Sequence, residues 1–244
     1  MEQTHAAALD KATIVNDAVL WSRIIQRHFD EFLDQEVGPD AQMGADLEGG
    51  RIQWASETAD VTGDVHLIAS VAPGPKSLLW AWANEMFAET EVAALSHRVR
   101  EFGEAHGVTD LSEAEVPLDT EGRELEAAVV AAAHEAGMVA AKVTGTHPYY
   151  VSDAGNGTWV VVLVSGLQMP APALAVLPGV LGEVLESGVL TDHRRALYHL
   201  GLDGPWPATW SADGSRVRFD DGEGRVEVEL DEQGRIVRVS GDLA

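Results

Sequence analysis

Val65-His66-Leu67-Ile68-Ala69-Ser70-Val71-Ala72-Pro73-Gly74-Pro75-Lys76-Ser77-Leu78-Leu79-Trp80-Ala81-Trp82-Ala83-Asn84 is the stretch on which the reading of this chain turns. Two apolar runs flank the five residues Ala72 to Lys76, whose Pro and Gly turn the chain back, so the stretch reads as an antiparallel hairpin. Side chains alternate faces along a strand. A strand over 77–84 therefore points Leu78, Trp80, Trp82 and Asn84 one way and only small or aliphatic groups the other. Pairing Val71 with Ser77 sets Ile68 against Trp80, His66 against Trp82 and Asp64 beside Asn84. Aromatic rings among a few convergent polar groups suit a small-molecule pocket. They equally suit a core in which ring nitrogens and amides find backbone partners, and that is the commoner setting for Trp. Ala81 and Ala83 on the reverse side predict a helix lying close there, with the N-terminal helix as the candidate.

Outward from the hairpin, Ile14, Ala18, Trp21, Ile25, Phe29 and Phe32 recur at spacings of three and four and predict one long helix over 7–36. Gly38-Pro39 ends it. Short strands over 44–48 and 51–56 join 65–71 and 77–84 in an N-terminal meander, and a helix over 85–106 follows. Residues 101–126 hold nine acids and one base, Arg123, which reads as a solvated linker face. The second half predicts a helix over 121–136, strands over 143–152 and 158–165 joined by a turn at 153–157, and helices over 171–187 and 191–200. A C-terminal meander closes the chain, with Val217 and Phe219, Val226, Val228 and Leu230, then Val237 and Val239 alternating with charges. Keeping its apolar faces together places Arg216 beside Glu229 and Glu229 beside Arg238, a charge row on a wet face. The fold class is α+β, mostly antiparallel sheets packed with helices. The 244 residues read as one domain, with two lobes, 1–107 and 121–244, as the alternative.

Forty acidic against 16 basic residues give a formal charge of -24, which repels nucleic-acid phosphates and anionic membrane surfaces. Nucleic acid is excluded as a partner on this ground. There is no Cys, which removes disulfides, thiolate metal sites and Cys nucleophiles. Residues 1–5 lack the basic region of a signal peptide, and the expected location is the cytoplasm. Residues 154–182 carry no charge, but Gly and Pro cut them into a short strand and a buried helix, so no membrane span is expected.

No Walker A loop, dinucleotide-binding glycine motif, H-E-x-x-H or G-x-S-x-G elbow is present. His134-Glu135 begins like a zinc-protease helix, but Met138 stands where the second His would be needed. Asn156-Gly157-Thr158 is read as turn chemistry and not as a glycosylation site. Thr191-Asp192-His193-Arg194-Arg195 gathers two Arg that suit an anion at a helix start; the favoured reading makes Thr191 or Asp192 the N-cap and pairs the Arg residues with carboxylates.

The match Trp80-Ala81-Trp82-Ala83-Asn84, preceded by Ile68-Ala69-Ser70, resembles a family of uncharacterised bacterial proteins. Its recurring segment is a serine-ended strand, a short loop and Trp-x-Trp-Ala-Trp-Ala-Asn. This chain has Ala69 where the family often has Gly, and Leu78 where it has a further Trp. A weaker similarity runs from Ala131-Ala132-Ala133 to Tyr149-Tyr150. The resemblance implies no known activity, cofactor or catalytic residue.

These readings favour a non-catalytic protein that binds a small molecule or a protein partner, without metal or cofactor. The candidate pocket is His66, Trp80, Trp82, Asn84 and Asp64, with Tyr149 and Tyr150. Two alternatives stand beside it. One is a hydrolase-like enzyme with His66 as base, oriented by Asp64 or Asn84. The other is an acidic, immunity-type inhibitor of a basic partner, using the run from Glu101 to Glu126.

Overall fold

A computed structural model describes residues 9–242, so the targeting reading of residues 1–5 and the first two residues of the predicted 7–36 helix lie outside the described residues. Helix α1 runs Lys11–Glu36. Asp10 caps it: the Thr13 hydroxyl and backbone N–H both donate to its carboxylate and hold that carboxyl below its usual range. Ile14, Ala18, Ile25 and Phe29 are buried, as their spacing requires. Val15, Val19, Leu20 and Ile24 are buried as well, so the covered stripe is wider than that spacing alone implies.

The chain divides into two compact units. The first comprises the residues up to Ile14, Met43–Gln53 and Thr62–Gly166; the second comprises Val15–Gln42, Trp54–Val61 and everything from Leu167. Strands β1 (Gln42–Asp46), β2 (Arg51–Ala55), β3 (Asp60–Ala72), β4 (Ser77–Trp80) and β5 (Glu115–Pro117) lie in that order in a seven-stranded sheet, most of it in the first unit. Strands β6 (Tyr149–Asp153) and β7 (Trp159–Ser165) complete the sheet, with β7 paired to both β3 and β6. The first unit also holds α2 (Ala94–His106), α3 (Thr109–Ser112) and α4 (Leu125–Thr144). α4 lies against β6 and β7, and Gly137 permits the approach, because a Cβ there would meet the Tyr149 ring at 2.7 Å.

The decisive hairpin differs from its sequence reading. The loop is Pro73-Gly74-Pro75-Lys76, one residue shorter, so Ala72 pairs with Ser77 and Ala69 with Trp80. His66 pairs with Leu163 of β7 and not with Trp82. A bulge between Leu67 and Ala69 keeps His66 and Ala69 on one face of the sheet, and Trp80 joins that face through Ala69. β4 then ends at Trp80, and Ala81–Ala83 winds into a 3-10 turn that takes Trp82 and Asn84 out of the strand.

Ser96 of α2 supports both irregularities. Its buried hydroxyl donates to the Ile68 carbonyl, which the bulge leaves outside the ladder, and accepts the Trp82 backbone N–H. The helix predicted behind Ala81 and Ala83 is thus supplied by α2 and not by the N-terminal helix. Ser96→Ala is expected to cost about 2 kcal/mol by stranding a buried carbonyl. The check is a lower urea midpoint with an unchanged slope.

Other differences are local. α2 starts late, after a 3-10 turn at Glu91–Ala93, because Phe87 and Ala88 N–H groups close a turn on the Asn84 carbonyl. The acidic linker contains α3 and β5, and β5 pairs Leu78 with Val116. α4 extends to Thr144, over the first residues of a predicted strand that begins instead at Tyr149. The 153–157 turn forms as read, with Gly155, Asn156 and Gly157 all at positive φ.

The second unit contains the remainder of α1, α5 (Leu177–Ser187), α6 (His193–Asp203) and a four-stranded sheet. That sheet orders β11 (Ile236–Asp242), β10 (Arg225–Leu230), β9 (Arg216–Asp220) and β8 (Ala208–Trp210). Arg216 pairs with Glu229 and Glu229 with Arg238, as predicted, but a register shift between Glu229 and Leu230 then sets Leu230 against Ile236 and leaves Val237, expected on the apolar face, exposed. The buried face holds Val217, Phe219, Val226, Val228 and Leu230. Asn16, itself buried, accepts the Thr191 and Asp192 N–H groups on its side-chain oxygen and fixes the start of α6. Among the described residues, antiparallel sheets with six α-helices make this an α+β fold. Among the described residues, no helix is long and apolar enough to cross a membrane.

Candidate functional site

α4 presents Ala128, Ala132 and Ala136 at four-residue spacing, with Ala131 and Glu135 beside them on the same side. Methyl groups cannot fill the space between this stripe and the elements facing it. The result is a cavity of about 290 Å³ in the first unit, walled by Leu78 and Trp80 of β4, Leu111 of α3, Val116 of β5 and Val139 of α4. That volume is near the lower end of small-molecule sites, which run from about 300 to 1,000 Å³.

The polar end is built around Lys11. Its ammonium sits 2.8 Å from Asp110 and 2.9 Å from Glu135. Burial alone would lower its pKa, but the two carboxylates outweigh that and hold it above its ordinary value. Lys11 is therefore charged at neutral pH. The Trp80 indole N–H donates to the Asp110 carbonyl at 2.9 Å, so one residue holds both the ring and the ammonium. Asp119 and Arg123 complete the lining, and Arg123 makes no ion pair among the described residues. With Lys11 and Arg123 against Asp110, Glu135 and Asp119, the lining carries one more negative than positive group.

Of the candidate pocket residues, Trp80 alone lines this cavity. Trp82 lies beneath the Arg100 guanidinium, 4.8 Å from ring centroid to carbon, and Asn84 accepts the Met86 N–H in a tight turn. Tyr149 is buried, with its hydroxyl 3.2 Å from Nδ1 of His134, while Tyr150 follows it on the strand and takes the opposite face. Asp64 pairs with Arg51. His66 Nε2 lies 2.9 Å from the Ser165 hydroxyl, and burial lowers its pKa with the Asp64 charge opposing. The imidazole is neutral at pH 7 and suited to accept a proton from Ser165, yet no hydrogen bond joins it to Asp64.

Lys11, Asp110 and Glu135 escaped the sequence reading because they come from three distant segments. The one legible signal was the Ala128, Ala132, Ala136 stripe, which marks a helix face with room against it. The acidic run does not form a uniform patch: Asp110 meets Lys11, Glu115 accepts the Ser77 hydroxyl and Glu104 pairs with Arg100. Among the described residues, no group of three or more His, Cys, Asp or Glu is placed to hold a metal ion.

No curated protein and no solved structure matches the chain. Residues 12–167, which include every cavity residue named above except Lys11, match the model of DUF6882, a family of unknown function. Because that match spans more than half of the chain, the protein belongs to this family of unknown function.

Proposed function

We propose that the protein is a non-catalytic binder of a small amphipathic molecule, held in the cavity beside Trp80. The observation that carries the reading is a cavity with an apolar wall of Ala, Leu, Val and Trp and one polar end at the Lys11–Asp110–Glu135 bridge. The surplus negative charge favours a ligand with a neutral or cationic head. An enzyme built on His66 would draw on Asp64 or Asn84 to orient the ring, but Asp64 pairs with Arg51 and Asn84 accepts the Met86 N–H instead. The reading takes the chain as a single bacterial, cytoplasmic domain of the Trp-Ala-Trp-Ala-Asn type with no nucleic-acid partner. Against a division at the 107–120 linker, β7 from beyond it pairs with β3 from before it.

Calorimetric titration with benzylamine, benzyl alcohol and phenylacetate tests this. Benzylamine is expected to bind most tightly and phenylacetate most weakly. Ala132→Phe, which fills the cavity from α4, is expected to fold normally and bind benzylamine at least about tenfold more weakly. Failure of all three probes to bind, or undiminished binding by Ala132→Phe, would refute the reading.

A further inference from the structure

The second unit holds a separate open basin of about 420 Å³, lined by Asp192, Arg194, Arg195, Tyr198, His199 and Trp210. Its charged groups are arranged from below. Asp17, with a side chain 7% exposed, receives both Nε and Nη2 of Arg195 and lies 3.2 Å from Nε2 of His199. Arg195 and His199 are thereby fixed in place. Asp192 is engaged too, because its carboxylate caps α6 by accepting the Arg195 backbone N–H.

Arg194 is different. In a protein with 40 acidic residues it pairs with no carboxylate among the described residues. Its guanidinium donates one Nη1 bond to the Gly214 carbonyl and lies over the Trp210 ring, 5.9 Å from the centroid. Both contacts hold the planar group still and leave other N–H donors facing the basin. The sequence reading that pairs both Arg residues with carboxylates therefore holds for Arg195 and fails for Arg194. Tyr198, 54% exposed, adds a second aromatic surface and a hydroxyl.

From this arrangement we infer that the basin binds a small planar aromatic ligand carrying an oxyanion, with the oxyanion on Arg194 and the ring against Tyr198 and Trp210. Guanidinium forks match both carboxylate and phosphate oxygens, and aromatic surfaces take a flat ring. The site is distinct from the Trp80 cavity. Except for Asp17, its residues lie outside the stretch that matches the family.

The test is titration of the full chain with adenosine monophosphate and with benzoate, beside adenosine and inorganic phosphate alone. Saturable binding of at least one of the first two, tighter than adenosine and tighter than phosphate, is expected; which of them binds separates a phosphate from a carboxylate ligand. Arg194→Ala is expected to weaken that binding at least tenfold and Tyr198→Ala several-fold, in variants whose circular dichroism and melting match the parent. Both side chains are exposed, so folding is expected to survive. Lack of binding by both aromatic anions, equal binding of phosphate or adenosine alone, or affinity unchanged in Arg194→Ala would each overturn the inference.

Discussion

Trp80→Ala is expected to lower stability by about 4 kcal/mol, the largest effect of any single change in the first unit. The ring is 2% exposed and its N–H is bonded to the Asp110 carbonyl. Truncation removes the buried ring, merges its volume with the cavity and leaves that carbonyl without its donor. Trp80→Phe keeps most of the apolar contact and loses only the hydrogen bond, so its expected cost is about half as large. Urea unfolding of the two variants beside the parent measures both. If Trp80→Ala costs less than about 1 kcal/mol, the indole is not the wall between core and cavity.

Asp17→Ala is expected to cost about 3 kcal/mol in the second unit. The carboxylate is buried and accepts two bonds from Arg195, with His199 beside it. Removing one partner of such a pair leaves a charge facing an apolar surround, typically at 3–5 kcal/mol. The lower end applies, because the Arg195 side chain is 38% exposed and water relieves part of the loss. Arg195→Ala should cost as much or more, since the charge then left behind is the buried one. A double variant is expected to cost less than the sum of the two singles. Additive costs would show that the pair contributes nothing beyond its separate parts.

How far the sequence carried these results depends on where a rule of alternation was interrupted. In the C-terminal meander the interruption comes late: Asp220-Asp221-Gly222 and Asp231-Glu232-Gln233-Gly234 make the turns and the register of Arg216, Glu229 and Arg238 follows from the apolar positions, before a shift at Leu230 takes Val237 off the buried face. In the hairpin before Asn84, one residue fewer in the loop displaced the pairing with β4 by a residue, and a bulge at Ile68 interrupts the pairing of the same strand with β7. The bulge is supported by Ser96, which lies 28 positions away from Ile68 and gives no local signal. The same distance hides β5. Glu115-Val116-Pro117 is too short to show a period, and Pro117 is tolerated because β5 ends the strand order as an edge strand.

The site was legible only through Trp80. An alternation of Trp and Ala reads as a strand face, yet Ala81-Trp82-Ala83 is small enough at both ends to wind into a 3-10 turn and send Trp82 under Arg100. Lys11, Asp110 and Glu135 meet because the first turn of α1 lies with α3 and α4 in the first unit, and no spacing in the chain encodes that meeting.

The most direct measurement follows the indole N–H signals of the seven Trp residues by heteronuclear NMR during a benzylamine titration, with Trp80 assigned from Trp80→Phe. Binding beside Trp80 requires its indole signal to shift saturably in the parent and to stay in place in Ala132→Phe. A Trp80 signal that does not move while the probe binds, or that moves equally in Ala132→Phe, would contradict a binding site at this cavity.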